Sequence, residues 1–208
     1  MLCNEGPPSW WYMESPRTGS STVERALRRV FPRAVAVYAK HWPILPPEKI
    51  LKSSPASIIT VRNPYSRAVS CWNFFTVPGS ISFVDWLKSV KDNGFVGGNI
   101  EARPQAFWLQ LTNWSDQLRQ ERLAEDFWAT VNRLRGFSAE QTSLPVCNDT
   151  GGRWVNRKGH KTTKTDPWWS AYCYHSLSLV RELYDTDFEL LAHFYGEDLD
   201  SAISTSEG

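Results

Sequence analysis

The sequence predicts a three-layer α/β sandwich with a small central parallel sheet and flanking helices. Three apolar runs, residues 9–13, 34–38 and 57–61, have the bulky or β-branched composition of buried strands. Amphipathic helical runs follow the first and the third, and this alternation is typical of parallel strands joined by crossover helices. Helical patterns dominate afterwards. We expect one domain over residues 1–208, with residues 197–208 as a flexible tail.

The loop after the first predicted strand has the composition of an anion site. It contains, in chain order, Arg17, Thr18, Gly19, Ser20, Ser21 and Thr22. Apolar residues then recur at helical spacing from Val23 to Val30. The N–H groups and the positive dipole end at the start of a helix attract anions. Gly19 allows a tight turn, and one of the three hydroxyl residues is expected to cap the helix.

This strand–loop–helix order is P-loop-like, but the chain lacks the G-x-x-x-x-G-K-[ST] pattern. The loop has no lysine, and no clear aspartate follows a later strand to hold Mg²⁺. The sequence therefore argues against an ATPase or a kinase, and no metal is expected. The simplest alternative is a Ser/Gly-rich turn that only starts a helix.

A second candidate anion site follows the strand at residues 57–61. Arg62 lies at the carboxyl end of that strand, where open α/β sheets bind ligands. Asn63 and Pro64 suit the cap and the first position of the next helix. Ser66 and Ser70, four residues apart, share a helix face, and an arginine can bind phosphate through two N–H groups. The alternative is a capped helix with a solvated arginine. Two separated anion sites indicate a nucleotide with charge at both ends of its ribose.

Together these two segments resemble the 5′-phosphosulfate loop and the 3′-phosphate site of sulfotransferases that use 3′-phosphoadenosine 5′-phosphosulfate (PAPS). Further segments are similar, in the same order, to the membrane-type carbohydrate sulfotransferases of the 2-O/chondroitin group. They are Lys40-His41, residues 120–127, residues 144–148 and residues 181–191. The resemblance spans residues 9–194, nearly the whole chain.

The resemblance implies a PAPS-dependent O-sulfotransferase whose acceptor is a glycan hydroxyl. Arg17 and the amides of residues 18–22 would hold the 5′-phosphosulfate, with Arg17 also stabilising the leaving phosphate. The 3′-phosphate would be held by Arg62 and Ser70, and a basic loop that contains Arg157 and Lys158 would close over the nucleotide. His41 would be the general base, because an unperturbed imidazole titrates near ~6.5. His160 is a weaker candidate.

The chain departs from the family pattern at Arg17 and over residues 81–101, and two alternative functions stay open. Arg17 stands where many relatives have lysine, and its high pKa makes arginine a poor proton donor. One alternative is a nucleoside or small-molecule kinase on the same type of fold. The other is a catalytically weak relative that binds an anionic ligand. Residues 81–101 lack the family pattern and are interpreted as an acceptor-specific insertion.

Composition limits partners and location. The formal net charge of +1 gives no general attraction to nucleic acid or membrane, and no apolar run or signal peptide indicates a membrane anchor. We therefore expect a soluble protein, cytoplasmic if prokaryotic or viral and in the Golgi lumen if a eukaryotic fragment. An oxidising compartment would allow a Cys147–Cys173 disulfide, whereas the anchorless form favours free thiols. The last long helix is expected to be capped by Asp166 and opened by Pro167, burying a face from Cys173 to Tyr184. The sequence does not fix the oligomeric state.

Overall fold

The structure is a computed structural model that describes most of the chain. The described residues are 1–4, 8–36, 48, 52, 56–77, 79–95, 101–136, 143–144, 153–155, 161–163 and 168–196. The chain divides into two compact units, each made of two segments. The first unit comprises Met1–Arg62 and Phe107–Cys147, and the second comprises Asn63–Ala106 and Asn148–Gly208. The single domain over residues 1–208 stays a prediction.

The first unit contains a five-stranded mixed sheet of the order β3-β1-β2-β4-β5. The strands are β1 (Leu2–Asn4), β2 (Trp10–Met13), β3 (Val35–Ala36), β4 (Ala56–Val61) and β5 (Asp116–Arg119). β2, β4 and β5 run parallel, with Tyr12 paired to Ile58 and Ile58 to Asp116. The prediction that the two candidate sites follow neighbouring parallel strands is therefore confirmed for β2 and β4.

One strand, β1, corrects the prediction of a parallel sheet, because it runs antiparallel to both of its neighbours. β1 was not predicted, and it lies antiparallel between β2 and β3. A strand of three residues is too short for alternation to mark it. The strand predicted at residues 34–38 is described only as Val35–Ala36, and the remaining positions 37–38 lie outside the described residues. β3 is separated from β2 by β1.

Helices α1 (Ser20–Val30) and α5 (Leu123–Arg135) flank one face of this sheet. Their apolar residues and the strand residues of that face form one core. The core comprises Leu2, Trp10, Tyr12, Val23, Ala26, Leu27, Phe31, Ala34, Ala56, Ile58, Leu118, Phe127, Trp128 and Val131. The apolar face predicted for α1 from Val23 to Val30 is thus confirmed, with Val30 partly buried against this core. Burial of each large apolar side chain stabilises the fold by ~1.5–3 kcal/mol.

The second unit is mainly helical. Its helices are α2 (Pro64–Phe75), α3 (Phe83–Asn93), α6 (Tyr174–Leu183) and α7 (Asp185–Tyr195), with a 3-10 turn at Trp168–Ala171. The strands β6 (Arg153–Val155) and β7 (Lys161–Thr163) pair as a two-stranded antiparallel ribbon. The short helix α4 (Ala106–Leu109) begins at Ala106, the last residue of the first segment of this unit. The molecule is therefore a mixed α/β protein with a five-stranded mixed sheet and flanking helices.

The closing helix differs from its prediction. Asp166 and Pro167 lie outside the described residues, and α6 begins only at Tyr174, after the 3-10 turn. Cys173 is its exposed N-cap, so the predicted buried face does not include it. The helical pattern also breaks at Tyr184, whose φ of −121° separates α6 from α7. Helical periodicity continues across such a break, so the sequence alone does not reveal it.

A buried polar network links α2 and α7 to the segment before α4. Arg67 on α2 is fully buried and donates from Nη2 to the Glu101 carbonyl at 3.0 Å. Asp187 on α7 is also fully buried, and its Oδ1 accepts the Ala106 N–H at 2.7 Å. Burial raises the pKa of Asp187, while the positive charge of Arg67 opposes that rise. In the part of the chain that the structure describes, no helix has both the length and the apolar composition needed to cross a membrane.

Candidate functional site

The loop between β2 and α1 contains two residues with positive φ, separated by one residue without it. Arg17 has a φ of +63° and is the only non-glycine residue with positive φ in the described ranges. Gly19 has a φ of +82°, and Thr18 between them is not left-handed. Such a pattern is typical of a nest, in which successive N–H groups face one side and can bind an anion. The loop predicted from sequence as an anion site therefore has a backbone suited to that task.

Helix α1 follows this loop directly. Gly19 is its N-cap and no side chain caps the helix, so the predicted cap by Ser20, Ser21 or Thr22 is wrong. The N-cap position is taken by the left-handed Gly19, which has no side chain. Its carbonyl accepts hydrogen bonds from the N–H groups of Thr22 at 3.0 Å and Val23 at 3.3 Å. Ser20 is buried, whereas Ser21 and Thr22 are half-buried.

A chain of buried hydroxyl groups holds the loop against β4. Thr18 Oγ1 donates to the Ser15 carbonyl at 2.8 Å and lies 2.6 Å from Thr60 Oγ1. Thr60 Oγ1 in turn lies 3.2 Å from the Tyr12 hydroxyl, which is 3.3 Å from the Ser20 carbonyl. Burial raises the pKa of Tyr12 well above its ordinary value of 10, so its hydroxyl stays protonated and acts as a donor. The loop conformation is thus fixed from the sheet.

Arg62 reaches the same loop from the end of β4. Its Nη1 donates to the Arg17 carbonyl at 3.3 Å, and its side chain is half-buried. The structure therefore brings together in the first unit the predicted residues from Arg17 to Thr22 and Arg62. The contact with the Arg17 carbonyl was not predicted, because it joins residues 45 positions apart.

The turn before α5 also lies against this loop. A Cβ placed on Gly19 would be 3.3 Å from Gln120 Cγ and 3.3 Å from Leu123 Cδ2. Glycine at position 19 is therefore required twice, for its positive φ and for this close approach. Gln120 follows β5, the third parallel strand, so it stands at the same sheet edge as the two predicted loops. Parallel topology is the signal that could have indicated it.

Glu14 is a second residue that the sequence reasoning missed. It follows β2 directly, is 2% exposed, and its negative charge is one of the causes that raise the pKa of Tyr12. The neighbouring Ser15 is 1% exposed, and its hydroxyl has no hydrogen-bond partner among the described residues. A carboxylate adjacent to the candidate anion loop would repel a bound anion, so the cationic side chains near that loop gain importance.

The helix after β4 begins as predicted. The Asn63 side chain accepts the Tyr65 N–H at 2.9 Å, and Pro64 occupies the first helical position. The Ser66 hydroxyl donates to the Asn63 carbonyl at 3.1 Å. The side chains of Asn63 and Ser66 therefore both take part in the cap. Ser70, the other predicted phosphate contact, is half-buried on α2 of the second unit.

Several predicted site residues cannot be located. His41, Arg157, Lys158 and His160 lie outside the described residues, as does Cys147 of the predicted disulfide. Cys173 carries an exposed free thiol. Within the ranges that the structure describes, no group of three or more His, Cys, Asp or Glu residues is arranged to hold a metal ion.

No protein-family model, no curated protein and no solved structure matches this chain. The fold and the site together define a mixed α/β protein in which the loop after the parallel strand β2 is hydrogen-bonded to the neighbouring strand β4.

Proposed function

We propose that the protein is a PAPS-dependent O-sulfotransferase that acts on a hydroxyl of a carbohydrate acceptor. The observation that carries the proposal is the alternation of left-handed Arg17 and Gly19 around Thr18, at the carboxyl end of a central parallel strand. Anionic groups of nucleotides bind at this position of α/β sheets. The ordered resemblance of six segments to PAPS-dependent sulfotransferases supplies the choice of nucleotide. On this proposal the fold is, more finely, a P-loop-like three-layer sandwich.

The described residues suit such a nucleotide. The nest and the Arg17 guanidinium offer N–H donors and positive charge to the 5′-phosphosulfate. The resemblance assigns the 3′-phosphate to Arg62 and Ser70, and the loop contacts of Arg62 support its place beside the nest. The loop lacks the G-x-x-x-x-G-K-[ST] pattern with which Walker-type loops hold the phosphates of ATP, and this argues against ATP as the donor.

The proposed reaction is an in-line transfer. The acceptor hydroxyl oxygen forms a bond to sulfur while the bond from sulfur to the 5′-phosphate oxygen breaks. His41 takes the hydroxyl proton, and the leaving phosphate keeps the electron pair of the broken bond. Like phosphoryl transfer, this reaction needs positioning and charge stabilisation more than covalent catalysis. Arg17 and the loop amides would stabilise the charge that develops on the leaving oxygen.

Thermal unfolding with nucleotides tests the proposal. A ligand that binds only the folded state raises the melting temperature by mass action. Adenosine 3′,5′-bisphosphate should raise it more than adenosine 5′-phosphate does, because only the former has a 3′-phosphate. Arg17→Ala should remove most of the shift. Arg25→Ala is the matched control, because Arg25 is exposed on α1 beyond the loop.

Other outcomes identify the alternatives. A shift from MgATP larger than that from adenosine 3′,5′-bisphosphate would favour a kinase. A shift from sulfated glycans without one from any nucleotide would favour a binding protein. Equal shifts from the mono- and bisphosphate would remove Arg62 and Ser70 from the role given to them.

A further inference from the structure

We propose that Arg62 is a positioning residue that fixes the peptide between Arg17 and Thr18, and so couples the two ends of the nucleotide. The coupling part rests on the proposed function, whereas the effect on the loop does not. The sequence resemblance treats Arg62 only as a phosphate ligand. The hydrogen bond from its Nη1 to the Arg17 carbonyl gives it a second task.

The first step is the strain at Arg17. A left-handed backbone is unfavourable for a residue with a Cβ, because the Cβ approaches the following carbonyl oxygen. Such a conformation persists only where surrounding contacts hold it. The Arg17 carbonyl is the group that receives the Arg62 hydrogen bond, so the contact acts on the strained residue itself.

The second step is the geometry of the peptide bond. In a planar trans peptide, the carbonyl and the following N–H point in opposite directions. A hydrogen bond that draws the Arg17 carbonyl toward Arg62 therefore turns the Thr18 N–H away from Arg62. Thr60, two residues earlier on β4, holds the Thr18 hydroxyl at 2.6 Å. Thr60 on β4 and Arg62 just after it thus hold the Thr18 hydroxyl and the Arg17 carbonyl, the two groups that orient the Thr18 amide.

The third step concerns ligand binding. A guanidinium has five N–H donors, so the bond to the Arg17 carbonyl leaves others that can reach an anion. A phosphate bound by Arg62 would restrain the same side chain that restrains the loop. Binding of the 3′-phosphate should therefore improve the nest for the 5′ group, and the reverse holds by linkage.

Adenosine 5′-phosphosulfate, which has no 3′-phosphate, separates the two tasks of Arg62. If Arg62 positions the loop, Arg62→Ala weakens binding of this probe about tenfold, whereas Arg25→Ala, at an exposed position of α1, leaves it unchanged. If Arg62 only binds the 3′-phosphate, neither variant affects the probe. Arg62→Lys keeps a charged donor of similar reach and should restore most of the affinity.

Amide exchange of the unliganded protein tests the loop independently of any nucleotide. The Thr22 and Val23 amides bond to the Gly19 carbonyl and report whether the loop stays closed on α1. Arg62→Ala should speed their exchange about tenfold, and Arg62→Lys should leave it within about threefold of wild type. Wild-type exchange in Arg62→Ala would overturn the inference, even if the protein binds no nucleotide. Faster exchange without nucleotide binding would keep the inference and refute the proposed function.

Discussion

Gly19→Ala should weaken anion binding in addition to lowering the stability of the fold, because this substitution changes the backbone of the nest itself. Gly19 has a φ of +82°, and a left-handed alanine costs about 1–2 kcal/mol. The added Cβ would also lie 3.3 Å from Gln120 Cγ and from Leu123 Cδ2. Gly136 at the end of α5 offers a matched control, since its φ is +70° and a Cβ there meets nothing within 4 Å.

Urea unfolding measures the change in the free energy of unfolding, and calorimetric titration with adenosine 3′,5′-bisphosphate measures the change in nucleotide affinity. Both variants should lose about 1–2 kcal/mol of unfolding free energy. Only Gly19→Ala should also weaken nucleotide binding, by about tenfold or more, because the alanine must leave the left-handed region or shift the loop. The reasoning is refuted if Gly19→Ala binds as tightly as Gly136→Ala does.

Three further predictions concern other parts of the molecule. Thr60→Val should lower the free energy of unfolding by about 1–3 kcal/mol in urea titrations, because the buried hydroxyls of Tyr12 and Thr18 each lose a partner, and Thr60→Ser should restore it. Asp187 has a raised pKa, so the folded state keeps its proton to higher pH than the unfolded chain, and unfolding free energy should fall as pH rises from about 4 through the folded pKa. Asp187→Asn should flatten that part of the stability profile; an unchanged slope would contradict the assignment. His41→Ala should lower sulfuryl transfer by ~10²–10⁴-fold without changing nucleotide affinity, and turnover above about a third of wild type would exclude it as the base.

Local patterns predicted the parts of the site that local chemistry determines. The parallel pair β2 and β4, the helices after them and the cap at Asn63 all follow from apolar periodicity and capping residues near each other in sequence. Gly19 was correctly interpreted as a turn residue, because its positive φ is a local property. These features need no knowledge of distant contacts.

The rest depends on contacts between distant residues. The hydrogen bond from Arg62 to the Arg17 carbonyl and the buried position of Arg67 on α2 leave no periodic signal in the sequence. β1 is too short for its alternation to be recognised. An acidic residue after a strand is usually solvated, so the burial of Glu14 could not be predicted without the fold.

Transfer of labelled sulfate from PAPS is the most direct test of the central claim. The purified protein, with a chelator present, is given labelled PAPS and a panel of glycans, steroids, phenols and tyrosyl peptides. We expect label on a glycan, no effect of the chelator, and loss of about 10²–10³-fold in rate for Arg17→Ala, as when one donor to a developing oxyanion is removed. The account would be contradicted if no acceptor gains sulfate while the protein transfers phosphate from ATP in a Mg²⁺-dependent reaction.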